Sequence, residues 1–284
     1  MTSPTRPAVA DKDLLAVFDA RMRAAAEPDE PGARVERAGR VVRQIGATPA
    51  DWHGVLHSEL DADSAGTAAT ADAVDAAIAA EIEYFGGLLG PGGVFEWKLY
   101  SHDQPKDLDA RLTAAGFQAG APETLFVAEI TRLAAGLPDA PPDGVTLRPV
   151  TTAADADLVA EATDAAFGSG TGAGNRARAR ALARLAADPE TVWTWVAMAE
   201  GRPVSTARML VHPGTGFASL WGGGTAPEWR GRGIYRSLVA HRTRVAAALG
   251  CEYLQVDASD QSRPILERLG FRALSVTTPY EYHF

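Results

Sequence analysis

Gly231 and Gly233 stand one residue apart, with Arg230, Arg232 and Arg236 around them, and the run IYRSLVAHRTRVAAALG follows directly. Glycines at a strand-to-helix junction remove side chains. The backbone N–H groups of residues 231–235 then point outward from the helix N-terminus without intrahelical partners. The macrodipole adds roughly half a positive charge at that end. Ringed by guanidinium groups, such a turn suits a pyrophosphate; the plain alternative is a glycine turn with solvated arginines. Two common phosphate loops are excluded. No G-x-x-x-x-G-K-[S/T] occurs, and GRGIYR lacks the third glycine of a dinucleotide fingerprint and follows several strands instead of opening the domain.

A turn of this kind works only when a strand and a helix hold it. FASLWGG precedes it as the third of three successive strands, after VWTWVAMAE and PVSTARMLV, and YLQVDA follows the helix as another. Strand, glycine turn, helix, strand means a sheet with at least one parallel crossover pair, and such a sheet takes its ligand at the carboxyl ends of the strands. VTLRPV opens this second unit, with helix signals in residues 152–167 and 175–187. PILERLG reads as a short helix, and FRALSVT and YEYHF as two final strands.

Upstream, residues 1–10 read as a tail and Asp11 to Ala26 as a helix, with Leu14, Leu15, Phe18 and Met22 at helical spacing. ARVERAGRVVRQIG reads as a hairpin around Ala38-Gly39, and WHGVLHS as a strand. Residues 68–89 carry helix signals. FEWKLY, DLDARLTAAGF and TLFVAEI read as strand, helix and strand. Residues 131–144, with three prolines and two glycines, read as a linker. The expected organisation is a tail and helix in 1–33, a first domain in 34–130, the linker 131–144, and a second domain in 145–284. WKLYSHDQPKDLDARLTAAGF and QVDASDQSRPILERLGF share a strand, a turn containing Asp-Gln, a helix and a Gly-Phe ending. That pattern fits either chance or a tandem duplication in which one half has lost its site.

The composition narrows the partners. A chain of 284 residues with 46% hydrophobic and 22% charged residues carries enough apolar side chain for a real core. The net charge of −9 argues against a nucleic-acid partner and favours cationic small molecules. One cysteine, Cys251, excludes an internal disulfide and a cysteine-built metal site. No run approaches ~18 apolar residues and no secretory leader is visible, so the expectation is a cytoplasmic protein without a membrane partner.

The segment TAPEWRGRG with its helix resembles the GNAT acetyltransferase superfamily, whose acyl-CoA loop reads Arg/Gln-x-x-Gly-x-Gly/Ala. Arg230 and Gly233 match it, and Tyr235 departs from it where Gly or Ala is usual. YLQVDASDQSRPILERLGF resembles the family's later signature, closing on Leu269-Gly270-Phe271. The resemblance covers residues 145–284 well and 34–130 faintly, as a degenerate copy.

It implies a mixed, mostly antiparallel α/β sheet flanked by helices, in two tandem halves. Acetyl-CoA would be the acyl donor, with no metal. The loop residues Arg230, Gly231, Arg232, Gly233, Ile234, Tyr235 and Arg236 would hold its diphosphate. Backbone N–H groups of Gly223, Gly224 and Thr225 would meet the pantetheine arm and thioester carbonyl. The implied activity is acetyl transfer to a small-molecule amine by direct attack. The alternatives are a non-catalytic acyl-CoA or partner-binding module and a protein or peptide acetyltransferase. Many family members keep a tyrosine four residues before the Gly of Gly-Phe as acid toward the leaving thiolate. Here that position is Leu266, and Phe217–Thr225 holds no carboxylate base. Ser262, in the turn before the short helix, and Tyr280, in the last strand, are the candidate substitutes; their plain roles are a helix cap and core packing.

Overall fold

A computed structural model describes residues 9–30, 32–49, 51–61, 70–187 and 190–284. Most of the expected tail and the start of the helix expected from residue 68 lie outside the described residues. The chain divides into two compact units, one of Met1–Leu125, Asp257–Arg263 and Ala273–Phe284, the other of Phe126–Val256 and Pro264–Arg272.

In the first unit, α1 (Asp11–Phe18) runs into a π-helical turn, Asp19–Ala24. β1 (Arg34–Ala38) and β2 (Val41–Ile45) form the expected hairpin, with Gly39 at φ +61°. β3 (Gly54–Ser58), α2 (Ala71–Leu89) and β4 (Val94–Tyr100) make a parallel crossover, Gly54 pairing with Glu96. α2 has Thr70 as its N-cap, accepting from Ala73 N, and buries Val74, Ile78 and Phe85 on one stripe. α3 (Leu108–Ala114) and the two-residue β5 (Gln118–Ala119) follow. Phe85, Phe95, Trp97, Leu112 and Phe117 form the centre of this core.

The final strand belongs to this unit. β12 (Arg272–His283) is one continuous strand, antiparallel to β4 from Thr277↔Tyr100 to His283↔Val94, where two strands were expected. Pro279 does not break it. Its carbonyl accepts from Gly120 N, on the side away from β4, so the missing N–H costs the β4 ladder nothing. β12 finds its partner in a strand about 180 residues earlier.

In the second unit β6 (Glu123–Glu129), β7 (Val145–Pro149), β8 (Val192–Ala199), β9 (Arg202–His212), β10 (Phe217–Thr225) and β11 (Tyr253–Ala258) stand in the order β7-β8-β9-β10-β11-β6. β7 to β10 are mutually antiparallel, and β10 and β11 are parallel, joined by α7 (Ile234–Ala248). α5 (Ala153–Phe167) and α6 (Ala173–Ala187) fill the expected helical stretch, and α8 (Arg263–Leu269) follows β11.

The proline-rich segment is not a loose tether. Its start is α4 (Ile130–Ala134), with Ile130 and Leu133 buried, and its Gly136 and Pro138 carbonyls accept from Arg236 and Arg244 of α7. Prolines and glycines lack apolar periodicity but leave carbonyls that guanidinium groups can take.

α5 opens with a capping box, in which Thr152 caps Asp155 N and the Asp155 carboxylate accepts from Thr151 N and Thr152 N. Arg148 Nε adds a 2.6 Å ion pair. Burial raises the Asp155 pKa, but the backbone donors, the Thr152 hydroxyl and Arg148 outweigh it and hold the carboxyl at about 2. A depressed folded pKa adds stability that is present above the unfolded value and is lost as pH falls through the folded one. Asp155→Asn is expected to cost about 2 kcal/mol at pH 7, and the difference from wild type should shrink between pH 4 and pH 2 in urea titrations. A difference constant with pH would show that the carboxylate charge is not the source.

Both units repeat one local motif. After α3, Gly116 (φ +105°) donates to Thr113 O and Phe117 N to Leu112 O. After α8, Gly270 (φ +101°) donates to Glu267 O and Phe271 N to Leu266 O. Leu112 and Leu266 are both fully buried, as are the two phenylalanines nearly. Among the described residues no helix is long and apolar enough to cross a membrane, and no cluster of three His, Cys, Asp or Glu could hold a metal.

Candidate functional site

β10 and β11 pair only at their starts, Phe217↔Tyr253, Ala218↔Leu254 and Ser219↔Gln255. Beyond Ser219 the ladder stops. On the other side, the β9 register jumps between Trp221↔Arg208 and Gly224↔Thr206, so Gly222 and Gly223 bulge with only Ala207 between those partners. Gly222 takes φ +58°. Backbone donors at the bulge are thus released from both neighbouring strands.

The rest of β10 is tied down. Ser205 Oγ donates to Gly224 O at 2.6 Å and lies 2.9 Å from Thr225 Oγ1. A Cβ on Gly224 would meet Phe167 at 2.5 Å. Of the three residues expected to face a pantetheine arm, only Gly223 lies in the bulge. Gly224 and Thr225 anchor its end.

The turn follows through a 3-10 segment, Pro227–Trp229. Gly231 (φ +75°) and Gly233 (φ +81°) both take the left-handed conformation, and Gly233 N-caps α7. The first backbone bond of α7 runs from Ser237 N to Gly233 O at 3.0 Å. Among the described residues no backbone carbonyl takes the N–H groups of 231–236. A Cβ on Gly231 would find open space.

The arginines around the turn are engaged elsewhere. Arg230 Nε donates to Thr225 O and Nη2 to Ala166 O, locking the turn to β10 and α5. The Arg232 guanidinium lies 4.5 Å over the Trp229 ring. Arg236 holds Gly136 O at 2.6 Å. These contacts help to shape the turn, and each guanidinium keeps further N–H groups beside the backbone donors.

Ile234 is buried and Tyr235 turns its ring toward the bulge, where a Cβ on Gly223 would meet it at 2.8 Å. Burial pushes the Tyr235 hydroxyl above its ordinary pKa, with Arg242 partly offsetting it. Arg242, 1% exposed, donates to Leu238 O and Arg208 O, and burial brings its pKa down to about 10.

Beside the bulge lies a cavity of about 260 Å³. Val159, Phe167, Ala177 and Trp221 give it apolar walls, Gly222 opens onto it, and Arg176, Arg180, Arg184 and Arg208 line it. Trp221 is 38% exposed. Among the described residues no Asp, Glu, His or Tyr lines the cavity. The sequence reading assigned the arginines to nothing. The available signal was α6 itself, AGNRARARALARLAA, four arginines and no acid in an acidic chain.

Leu266 is fully buried, so no hydroxyl stands at the usual acid position. Ser262 and Tyr280 fall in the first unit, whereas the turn and cavity are built by the second. Ser262 N bonds Ser259 O within its turn. Tyr280 is 8% exposed in the first core, opposite Trp97, its hydroxyl pushed up by burial and then by Asp109. Packing is the role its surroundings give it. Asp257 is 3% exposed at its side chain and accepts from Lys98 Nζ at 2.5 Å. Cys251 is half-buried, its thiol raised by burial.

Two parallel strands part beside a glycine-lined helix start. Residues 158–271 match the Acetyltransferase (GNAT) family. A stretch of 78 residues, 26% of the chain, is 30% identical to a glucosamine 6-phosphate N-acetyltransferase of Trypanosoma brucei brucei, of which the match covers 53%. The chain thus spans about half the length of that curated relative.

Among solved structures, a GCN5-related N-acetyltransferase from Kribbella flavida superposes with a TM-score of 0.61 at 18% identity, over 88% of this chain and 89% of that one. A tandem GNAT protein from the clavulanic acid biosynthesis pathway gives 0.60 at 14% identity over 96% of both chains. A functionally unknown conserved protein from Staphylococcus epidermidis gives 0.63 at 14%, over 87% and 92%. These likenesses establish the fold.

Proposed function

We propose that this protein is a tandem GNAT N-acetyltransferase whose second half binds acetyl-CoA and transfers its acetyl group to the amine of a small molecule. One observation carries the reading: the unpaired N–H groups of 231–236 at the start of α7, beside a β10 bulge that parallel pairing has left open. The residues fit the donor. Two left-handed glycines leave room for a diphosphate against the helix N-terminus, where backbone donors and dipole favour negative charge. The N–H groups of Gly222 and Gly223 would polarise the thioester carbonyl. Acetyl-CoA supplies the activated acyl group; the chain orients it and holds the amine in the cavity.

The first half fits no such donor. Its crossover also runs strand, helix, parallel strand, but Thr70 caps α2 with its own hydroxyl, and residues 59–70, ELDADSAGTAAT, carry acids and no Gly-x-Gly. Together with the repeated Gly-Phe motif, this supports a duplication whose first copy has lost its loop.

Among the described residues no Asp, Glu, His or Tyr lines the cavity, and in this reading the amine loses its proton to water or arrives neutral. Mixing the protein with acetyl-CoA and an amine library should release CoA, and kcat/KM should rise with pH along the acceptor's own amine pKa. A bell-shaped profile set by a group near pH 6–7 would reject base-free transfer. Buried Leu266 favours one other reading, a non-catalytic acyl-CoA module. Under it, acetyl-CoA at ~100 times its Kd still stabilises the fold by roughly 2.7 kcal/mol, while no amine is acetylated.

A further inference from the structure

We propose that the cavity beside Gly222 selects an amine that also carries a compact oxyanion, a phosphate or a carboxylate, held by Arg180 with Arg176, Arg184 and Arg208. This rests on the acetyl-transfer reading above and names the acceptor class of that site.

The charge around the cavity is the argument. α6 places Arg176, Arg180 and Arg184 at successive four-residue steps, one stripe of the helix. β9 adds Arg208, whose guanidinium lies 5.8 Å from the Trp221 ring. Among the described residues the lining includes no carboxylate. Arg180 and Arg176 bring positive charge to a cavity of about 260 Å³ whose described lining offers them no carboxylate, so an incoming oxyanion meets uncompensated charge there.

Elsewhere the same helix shows how the chain neutralises an arginine: Arg178, off the stripe, pairs with Asp157 at 2.5 Å. Arg180 bonds no described residue, and Arg176 spends one nitrogen on Thr171 O. Guanidinium forks match carboxylate and phosphate oxygens bidentately. The apolar walls, with Phe167 and Trp221, suit the carbon skeleton between anion and amine, and Gly222 opens the cavity onto the bulge where the thioester carbonyl would lie. The net charge of −9 favours a cationic acceptor, but the potential that a bound molecule meets is local, and here it is positive.

Matched pairs test this on the full chain. Ethanolamine is compared with O-phosphoethanolamine, 3-aminopropanol with β-alanine, and spermidine serves as the cationic arm. CoA release is followed with a thiol reagent, and binding of each compound is measured by calorimetry with and without CoA. The anionic member of a pair should be preferred in KM, or in Kd where no acetyl moves, by roughly 10- to 100-fold. The stronger pair distinguishes phosphate from carboxylate.

Arg180→Glu, on an exposed turn of α6, should erase that preference, read as the ratio between the two members of each pair measured on the same variant. Circular dichroism verifies that the variant folds. Neutral or cationic amines preferred, or a preference that survives in Arg180→Glu, would overturn the proposal. Anion binding without acetyl transfer to any amine would retain the anion site and reject the transferase reading instead.

Discussion

Gly233→Glu is expected to weaken acetyl-CoA binding by at least about 100-fold, close to 2.7 kcal/mol at 1.4 kcal/mol per decade. Three effects add. Gly233 sits at φ +81°, where an L-residue costs about 1–2 kcal/mol. A Cβ there meets Pro142 Cγ at 3.6 Å, an ordinary contact, so strain rather than collision is the steric part. The carboxylate then places negative charge among the N–H groups of 231–236, reversing the attraction they and the dipole offer a diphosphate. Gly233→Ala separates the parts: it keeps the backbone strain without the charge and should lose only about tenfold. Calorimetric titration with acetyl-CoA reads both variants, and thermal melts verify that each is folded. Affinity within twofold of wild type in Gly233→Glu would show that the diphosphate lies elsewhere.

Lys98→Met is expected to destabilise the first unit by about 3–5 kcal/mol. Lys98 Nζ and Asp257 Oδ2 are 2.5 Å apart, with the carboxylate side chain 3% exposed and the lysine side chain 21% exposed. Burial opposes the charge on Lys98, but Asp257 and the Tyr100 hydroxyl more than offset it, so its pKa is raised above the ordinary lysine value. A raised folded pKa means the stabilisation is complete below the unfolded lysine pKa and fades only at strongly alkaline pH. Removing the ammonium leaves a carboxylate in an environment built for an ion pair. The double variant Lys98→Met with Asp257→Leu should regain most of the loss, because apolar replacement of a buried pair is often neutral. Urea denaturation at pH 7 measures all three. A single-variant cost below about 1 kcal/mol is what a solvated surface pair would give.

Local features were legible in the chain itself. The hairpin at Gly39, the crossover helix after Gly233 and the Gly-Phe stops at 116–117 and 270–271 each depend on a left-handed glycine or on periodicity within a few residues. Tyr280 shows where that reading ends. A tyrosine on a strand suits a site rim and a core equally well, and only the structure shows Tyr280 8% exposed opposite Trp97. Pro279 marked a strand break only because sequence does not say which side of the strand its missing N–H faces. The proline-rich stretch read as a linker for a related reason: α7 arginines 100 residues downstream hold its carbonyls.

By itself the amino-acid order determined the mixed sheet, its glycine turn and the family to which the turn belongs, since these follow from backbone conformations that neighbouring residues impose. Only the tertiary structure decided which strands complete each unit, and that the arginines of α6 and β9 face one cavity. Charge and hydrophobicity along a chain report what each residue is; whether four cations share one small space depends on how helix and sheet pack, and that is set by contacts between residues far apart in sequence.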